Sequence, residues 1–166
     1  VRGEGFHLED LSNAANPGRI VNNTATMGQA NSTSESYGFD ISYTDDAEVY
    51  HNSALLVASS NASGAAINFE DNSDDCIFEN NNAVNLGTAG FAVRFEDAAT
   101  TASSDYNNYY APNADVASFD GTTAATLADL QTANSDDANS ISINPNFAAN
   151  DSLAPTNPAI QIANPI

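Results

Sequence analysis

The stretch SDYNNYY, residues 104–110, sets two Asn among aromatics with no Gly or Pro to mark a turn. It is the fourth copy of a recurring signal. IVNN at 20–23, VYHN at 49–52, IFEN at 77–80 and SDYN at 104–107 each end on Asn. The four final residues, Asn23, Asn52, Asn80 and Asn107, are 29, 28 and 27 residues apart. Another pattern precedes each copy: GFHL at 5–8, GFDI at 38–41, GAAI at 64–67 and GFAV at 90–93. Its glycines are spaced by 33, 26 and 26 residues. Self-similarity at a period near thirty is the signature of a solenoid.

Within the glycine pattern the apolar residues alternate: Phe6 and Leu8, Phe39 and Ile41, Ile67 and Phe69, Phe91, Val93 and Phe95. A period of two means strands with one buried face. Repeats this short cannot enclose a core singly, so they must stack on one another. Stacked strands running the same way give an all-β fold, a parallel β-solenoid of about four coils. The repeat length varies where the turns at 27–36 and 58–64 take insertions. Asn suits a sharp bend because it tolerates the left-handed region. In register, its amide also donates and accepts along the stack. Asn23, Asn52, Asn80 and Asn107 are therefore expected to form a ladder.

Residues 1–110 are read as the coils, and 111–166 as the last incomplete coil and a C-terminal cap of the same domain. In DGTTAATLADLQTAN, 120–134, Thr126 stands as N-cap with Asp129 three residues on, predicting a short helix. ISINPNF, 141–147, reads as a strand broken by Pro145, and 153–166 as an extended, Pro-punctuated tail. The open end of a solenoid exposes strand edges that need cover.

The 166 residues hold 22 acidic side chains against three Arg and no Lys, a net charge of −19. Such a chain repels nucleic acid and anionic membrane surfaces. Divalent cations and basic surfaces are the partners it would attract. The single Cys76 allows no intramolecular disulfide and is expected to be a buried thiol. No apolar run reaches transmembrane length and no signal peptide is seen. The start, VRGEGF, suggests a piece of a longer protein.

The two repeated patterns resemble those of the right-handed parallel β-helix repeat proteins of the pectate-lyase-like superfamily. The order SDYNNYYAP, TLADLQ and LAPTNPAI resembles the C-terminal coil of secreted Bacteroidota surface proteins. It departs at Gln161 and Ile162, where Asp-Ala is usual. The resemblance implies a right-handed β-helix and an extracellular or cell-surface location. It also implies that any chemistry sits on the outward face of one sheet.

Alternation places His7, Glu9, Asp40, Ser42, Ala66, Asn68, Glu70, Ala92, Arg94 and Glu96 on that face. One column then reads His7, Asp40, Ala66, Ala92 and the next Glu9, Ser42, Asn68, Arg94. For an enzyme, Arg94 would be the base or a sugar-carboxylate ligand, with Glu70, Glu96 and Asp40 as acids or calcium ligands. The simpler reading is an ion pair of Arg94 with Glu70 and Glu96, and a polar contact of His7 with Asp40. Asn68 and His7 would be glycan contacts, joined by a row of outward side chains, Val21, Tyr50 and Phe78. The acidic turn with Asp71, Asp74 and Asp75 is the candidate calcium site, although it lacks EF-hand spacing. No cofactor is required by any of these readings.

These features favour a non-catalytic extracellular scaffold or adhesin module within a longer chain or assembly, touching a polysaccharide or cell-surface glycan. The alternative is the C-terminal part of a polysaccharide lyase or glycoside hydrolase. A weaker one is a filament-forming subunit.

Overall fold

A computed structural model describes residues 2–28, 33–70, 72–149 and 152–163. Each repeat supplies three strands. The first coil holds β1 (Arg2–Glu9), β2 (Arg19–Val21) and β3 (Thr24–Met27). The second holds β4 (Glu35–Ser42), β5 (Glu48–Tyr50) and β6 (Ser53–Leu56). The third holds β7 (Ala65–Glu70), β8 (Cys76–Glu79) and β9 (Asn82–Asn85). The fourth holds β10 (Phe91–Phe95), β11 (Thr101–Asp105) and β12 (Asn108–Tyr110). Equivalent strands pair in parallel, giving the sheets β1-β4-β7-β10, β2-β5-β8-β11 and β3-β6-β9-β12. The chain is a parallel β-solenoid of about three turns. The count differs slightly from the four coils expected.

The first sheet continues into β13 (Asp115–Phe119), parallel to β10, and β14 (Thr122–Ala124), antiparallel to β13. Asp120 and Gly121 turn between them at φ 48° and 70°, the pair of left-handed residues that a tight hairpin needs. Helix α1 (Leu127–Asn134) follows, opened by the expected capping box. Thr126 Oγ1 accepts the Asp129 N–H at 3.3 Å, and Asp129 Oδ2 accepts the Thr126 N–H at 2.9 Å. Leu130 from this helix is fully buried in the core cluster, so α1 closes the C-terminal end.

The tail corrects the expectation of a plain extended segment. Ile141 makes one parallel bridge to Asn108, and β15 (Phe147–Ala149) pairs with β16 (Ser152–Pro155). Leu153 packs on Leu55 and Val84, covering the outer side of the third sheet. Residues 158–163 then form a short helix, α2 (Pro158–Ala163). Pro158 stands where its missing N–H costs nothing, and Asn157 Oδ1 accepts the Ala159 N–H at 3.1 Å.

Aromatics stack along the solenoid interior. Phe69 and Phe95 stack with centroids 5.5 Å apart, and Phe78 meets both edge-on at 5.4 and 5.8 Å. Phe78 is thus a core residue and not part of an outward aromatic row. The pairing is Val49 with Phe78 and Tyr50 with Glu79, so the outward row is Val21, Tyr50 and Glu79. Cys76, as expected, is fully buried; its thiol donates to the Thr44 carbonyl at 3.2 Å, and burial pushes its pKa up to about 12.

The ladder also shifts by one residue at the third coil. Asn23 Nδ2 donates to Asn52 Oδ1, Asn52 Nδ2 to Asn81 Oδ1 and Asn81 Nδ2 to Asn107 Oδ1, at 3.1, 3.1 and 3.2 Å. Each of those oxygens also accepts the backbone N–H of the preceding rung, at 3.0, 2.9 and 2.9 Å. The rungs are Asn23, Asn52, Asn81 and Asn107; Asn80 is not one of them. The left-handed bend lies one position earlier, at Asn22, His51, Asn80 and Tyr106, with φ between 55° and 59°. Bending and bridging, assigned to a single Asn from the sequence, belong to two consecutive residues.

Candidate functional site

The polar row on the first sheet is built by register. His7 pairs with Asp40, Asp40 with Asn68, and Asn68 with Arg94. Glu9 pairs with Ser42, and Ser42 with Glu70. The expected columns were displaced by two residues beyond the second coil, because Gly64 and Gly90 do not align with Gly5 and Gly38. Gly38 stands instead beside Ala66. A slip of two keeps the alternation of faces but changes every neighbour.

The alternation itself is broken at one place. Ala66 and Ile67, and likewise Ala92 and Val93, are consecutive core residues, so Ala66 and Ala92 leave the outward face. Small residues are required there because the third sheet comes close. A Cβ on Gly38 would lie 3.1 Å from Ala54 Cβ and 2.5 Å from the Ala66 carbonyl oxygen. The equivalent break between Gly5 and Phe6 brings Glu4 onto the face of His7. Strict alternation hides Glu4, and only the run of small residues in the next column, Gly5, Gly38, Ala66 and Ala92, signals the break.

The side chains form a continuous chain of contacts across four strands. His7 Nε2 is 3.4 Å from Glu9 Oε2, and its Nδ1 is 3.0 Å from Asp40 Oδ2 and 3.6 Å from Glu4 Oε2. Asn68 Nδ2 donates to Asp40 Oδ1 at 2.7 Å and to Glu70 Oε2 at 3.0 Å. Arg94 Nη1 donates to Asn68 Oδ1 at 3.2 Å and lies 3.4 Å from Glu70 Oε2; its Nη2 is 4.0 Å from Glu96. Asp40 and Asn68 are fully buried within this row, whereas His7 is exposed. The bond to Asp40 raises the imidazole pKa above its ordinary value; partial desolvation opposes this, and Glu9 and Glu4 add to it.

The structure thus gathers His7, Asp40, Asn68, Glu70, Arg94 and Glu96 and leaves the other candidates elsewhere. Tyr50 is half-buried on the second sheet beside His51, its phenol raised first by burial and then by Glu48 and Glu79. Asp71 lies outside the described residues. Asp74 and Asp75 sit in a turn that stacks on Asp45: the Asp74 N–H donates to Asp45 Oδ1 at 3.2 Å. Burial raises the Asp74 carboxyl pKa, and Asp97, Asp45 and Asp75 raise it further. Among the described residues, the donor atoms within 4.8 Å of one another are those of Glu4, His7 and Asp40, not those of the acidic turn.

A buried polar centre near the C-terminal end escaped the sequence reading. Asp137 Oδ1 accepts from Ser140 Oγ at 2.6 Å, Tyr109 OH at 3.0 Å and Ser104 Oγ at 3.1 Å, and Oδ2 accepts from Asn134 Nδ2 at 2.7 Å. Burial raises its pKa, and the bonds from Ser140, Asn134, Tyr109 and Ser104 pull it back. This centre answers for SDYNNYY: Ser104, Asn107 and Tyr109 face inward and anchor the cap.

Comparison with family models, with curated proteins and with solved structures finds no match to this chain.

Proposed function

We propose that the chain is a non-catalytic β-solenoid scaffold, a rigid module of a larger secreted or cell-surface protein in which it spaces or presents other parts. The observation that carries this reading is the closure of the outward row upon itself. Asp40 is held by His7 and Asn68, and Arg94 shares its guanidinium among Asn68, Glu70 and Glu96. A glycosidase needs two carboxylates facing the scissile bond, one as acid and one as base or nucleophile. Here the carboxylates are turned along the stacking direction into their neighbours, as in a structural ladder.

The resemblance to secreted β-helix proteins of the pectate-lyase-like superfamily supports an extracellular setting. Tyr50 is the aromatic of the outward row Val21, Tyr50 and Glu79, on which a glycan would stack. The test is a panel of acidic and neutral polysaccharides incubated with the purified chain, in calcium and in chelator. Reducing ends and unsaturated products would both be followed. No product is expected, with or without calcium. Product that disappears in Arg94→Ala would overturn the scaffold reading in favour of a lyase or hydrolase.

A further inference from the structure

The two ends of the solenoid differ. At the C-terminal end the last rung of the ladder is finished: the Asn107 N–H donates to Ser140 Oγ at 2.9 Å, and Leu130 is buried. At the N-terminal end, strands β1, β2 and β3 each stand at the edge of their sheet. Phe6 stacks on Phe39 at 5.0 Å, but Phe6 is 39% exposed where Phe39 is 1%. Leu11 is 45% exposed beside it, and Phe6, Leu8, Leu11, Arg19, Ile20 and Asn23 line one depression.

The ladder is directional, and its first rung is incomplete. In Asn52, Asn81 and Asn107 the side-chain oxygen accepts two N–H groups from the rung before. The amide nitrogen of each also donates to a carbonyl of the coil before, namely Ile20, Val49 and Phe78. Asn23 Nδ2 bonds only Val21 of its own turn and Asn52, and among the described residues nothing donates to Asn23 Oδ1. We infer that the N-terminal face of the first coil is a docking surface for one further coil of the same parallel repeat. That coil would present an apolar strand over Phe6 and Leu8, and an Asn whose backbone and side-chain N–H groups meet Asn23 Oδ1.

Chemistry selects this occupant over a second copy of the chain. Two copies meeting face to face would set two Asn23 acceptors against each other and bring together two molecules of charge −19. A head-to-tail copy would have to offer the Asn107 N–H, which Ser140 has taken. A further coil repeats the contact already made three times within the molecule, and it removes a row of open strand edges.

The inference deepens the scaffold reading by naming the end at which the rod continues, and the two fail separately. Product release refutes the scaffold and leaves the surface untouched. Register fixes the probe. Arg2 pairs with Glu35, and Tyr37 pairs with Ala65 at an offset of 28, so position 63 (35 plus 28) is equivalent to position 2. A duplicate of residues 35–62 joined directly ahead of Arg2 therefore adds one coil in register. Melting and amide exchange would be compared with the unextended chain. The extended chain is expected to melt several degrees higher, with β1 amides exchanging at least an order of magnitude more slowly. Asn52→Leu within the added coil should forfeit most of that gain while the original coils melt as before. An extension that leaves β1 exchange and melting unchanged would overturn the inference. So would sedimentation showing the unextended chain to be a dimer with β1 already protected.

Discussion

At the residue scale, the fold depends on two adjacent positions with different work. The first bends the backbone into the left-handed region, and Asn22, His51, Asn80 and Tyr106 all do so. The variety of types there shows that the bend tolerates several side chains. The second position carries Asn in every coil, because only an amide offers an acceptor and two donors in so small a volume. The sequence showed the ladder but not its third rung. IFENNN holds Asn80, Asn81 and Asn82 in succession, and even spacing favoured the wrong one. The same miscount turned Phe78 outward. The two positions separate experimentally. Asn81→Ala strips acceptors from the Asn52 N–H and Nδ2 and donors from the Val49 and Glu79 carbonyls, and all but the bond to Glu79 are fully buried. It is expected to lower stability by about 3 kcal/mol. Asn80→Ala loses only the tolerance of Asn for the left-handed region, about 1 kcal/mol. Urea midpoints at unchanged slope measure both. The reverse order would return the ladder to Asn80.

At the scale of elements, the strands were readable and their register was not. Alternation identified β1, β4, β7 and β10 as one face buried and one polar, and the structure agrees for His7, Asp40, Asn68 and Arg94. It could not reveal the two-residue slip, since a slip of two leaves the pattern unchanged. Nor could it reveal the doubled core residues at Ala66–Ile67, which depend on the third sheet coming near. The row that register builds has a pH signature. The His7 pKa is raised in the folded state, chiefly by Asp40, so protonation favours folding. The stabilisation is fully present below the unfolded value near 6.5 and is lost as pH climbs through the folded one. His7→Gln should therefore lower the melting temperature at about pH 5.5 and make little difference at about pH 9. An equal effect at both pH values would mean that His7 contributes only packing, with no charge coupling to Asp40, Glu9 or Glu4.

At the scale of the whole molecule, stacking multiplies whatever a coil carries, charge included. Turns that are harmless singly bring Asp45, Asp74 and Asp97 into one acidic column; the Asp46 N–H donates to the Asp74 carbonyl at 2.9 Å, locking the first two in place. Burial and these neighbours make the charged form of Asp74 costly, and its buried Oδ1 finds no partner among the described residues. With three Arg against 22 acidic residues, the repulsion has little to offset it. Its range is about 10 Å at 0.1 M salt and about 3 Å at 1 M, so salt should relieve it. The melting temperature is expected to rise steadily from low salt to about 1 M sodium chloride, a range in which surface ion pairs alone would weaken. Asp74→Asn should raise melting at low salt and lose part of that advantage at high salt, because salt screens the repulsion from Asp97, Asp45 and Asp75 but leaves the burial cost in place. Melting that is flat in salt, or an Asp74→Asn effect that does not shrink, would show that burial and not the acidic column sets the cost at Asp74.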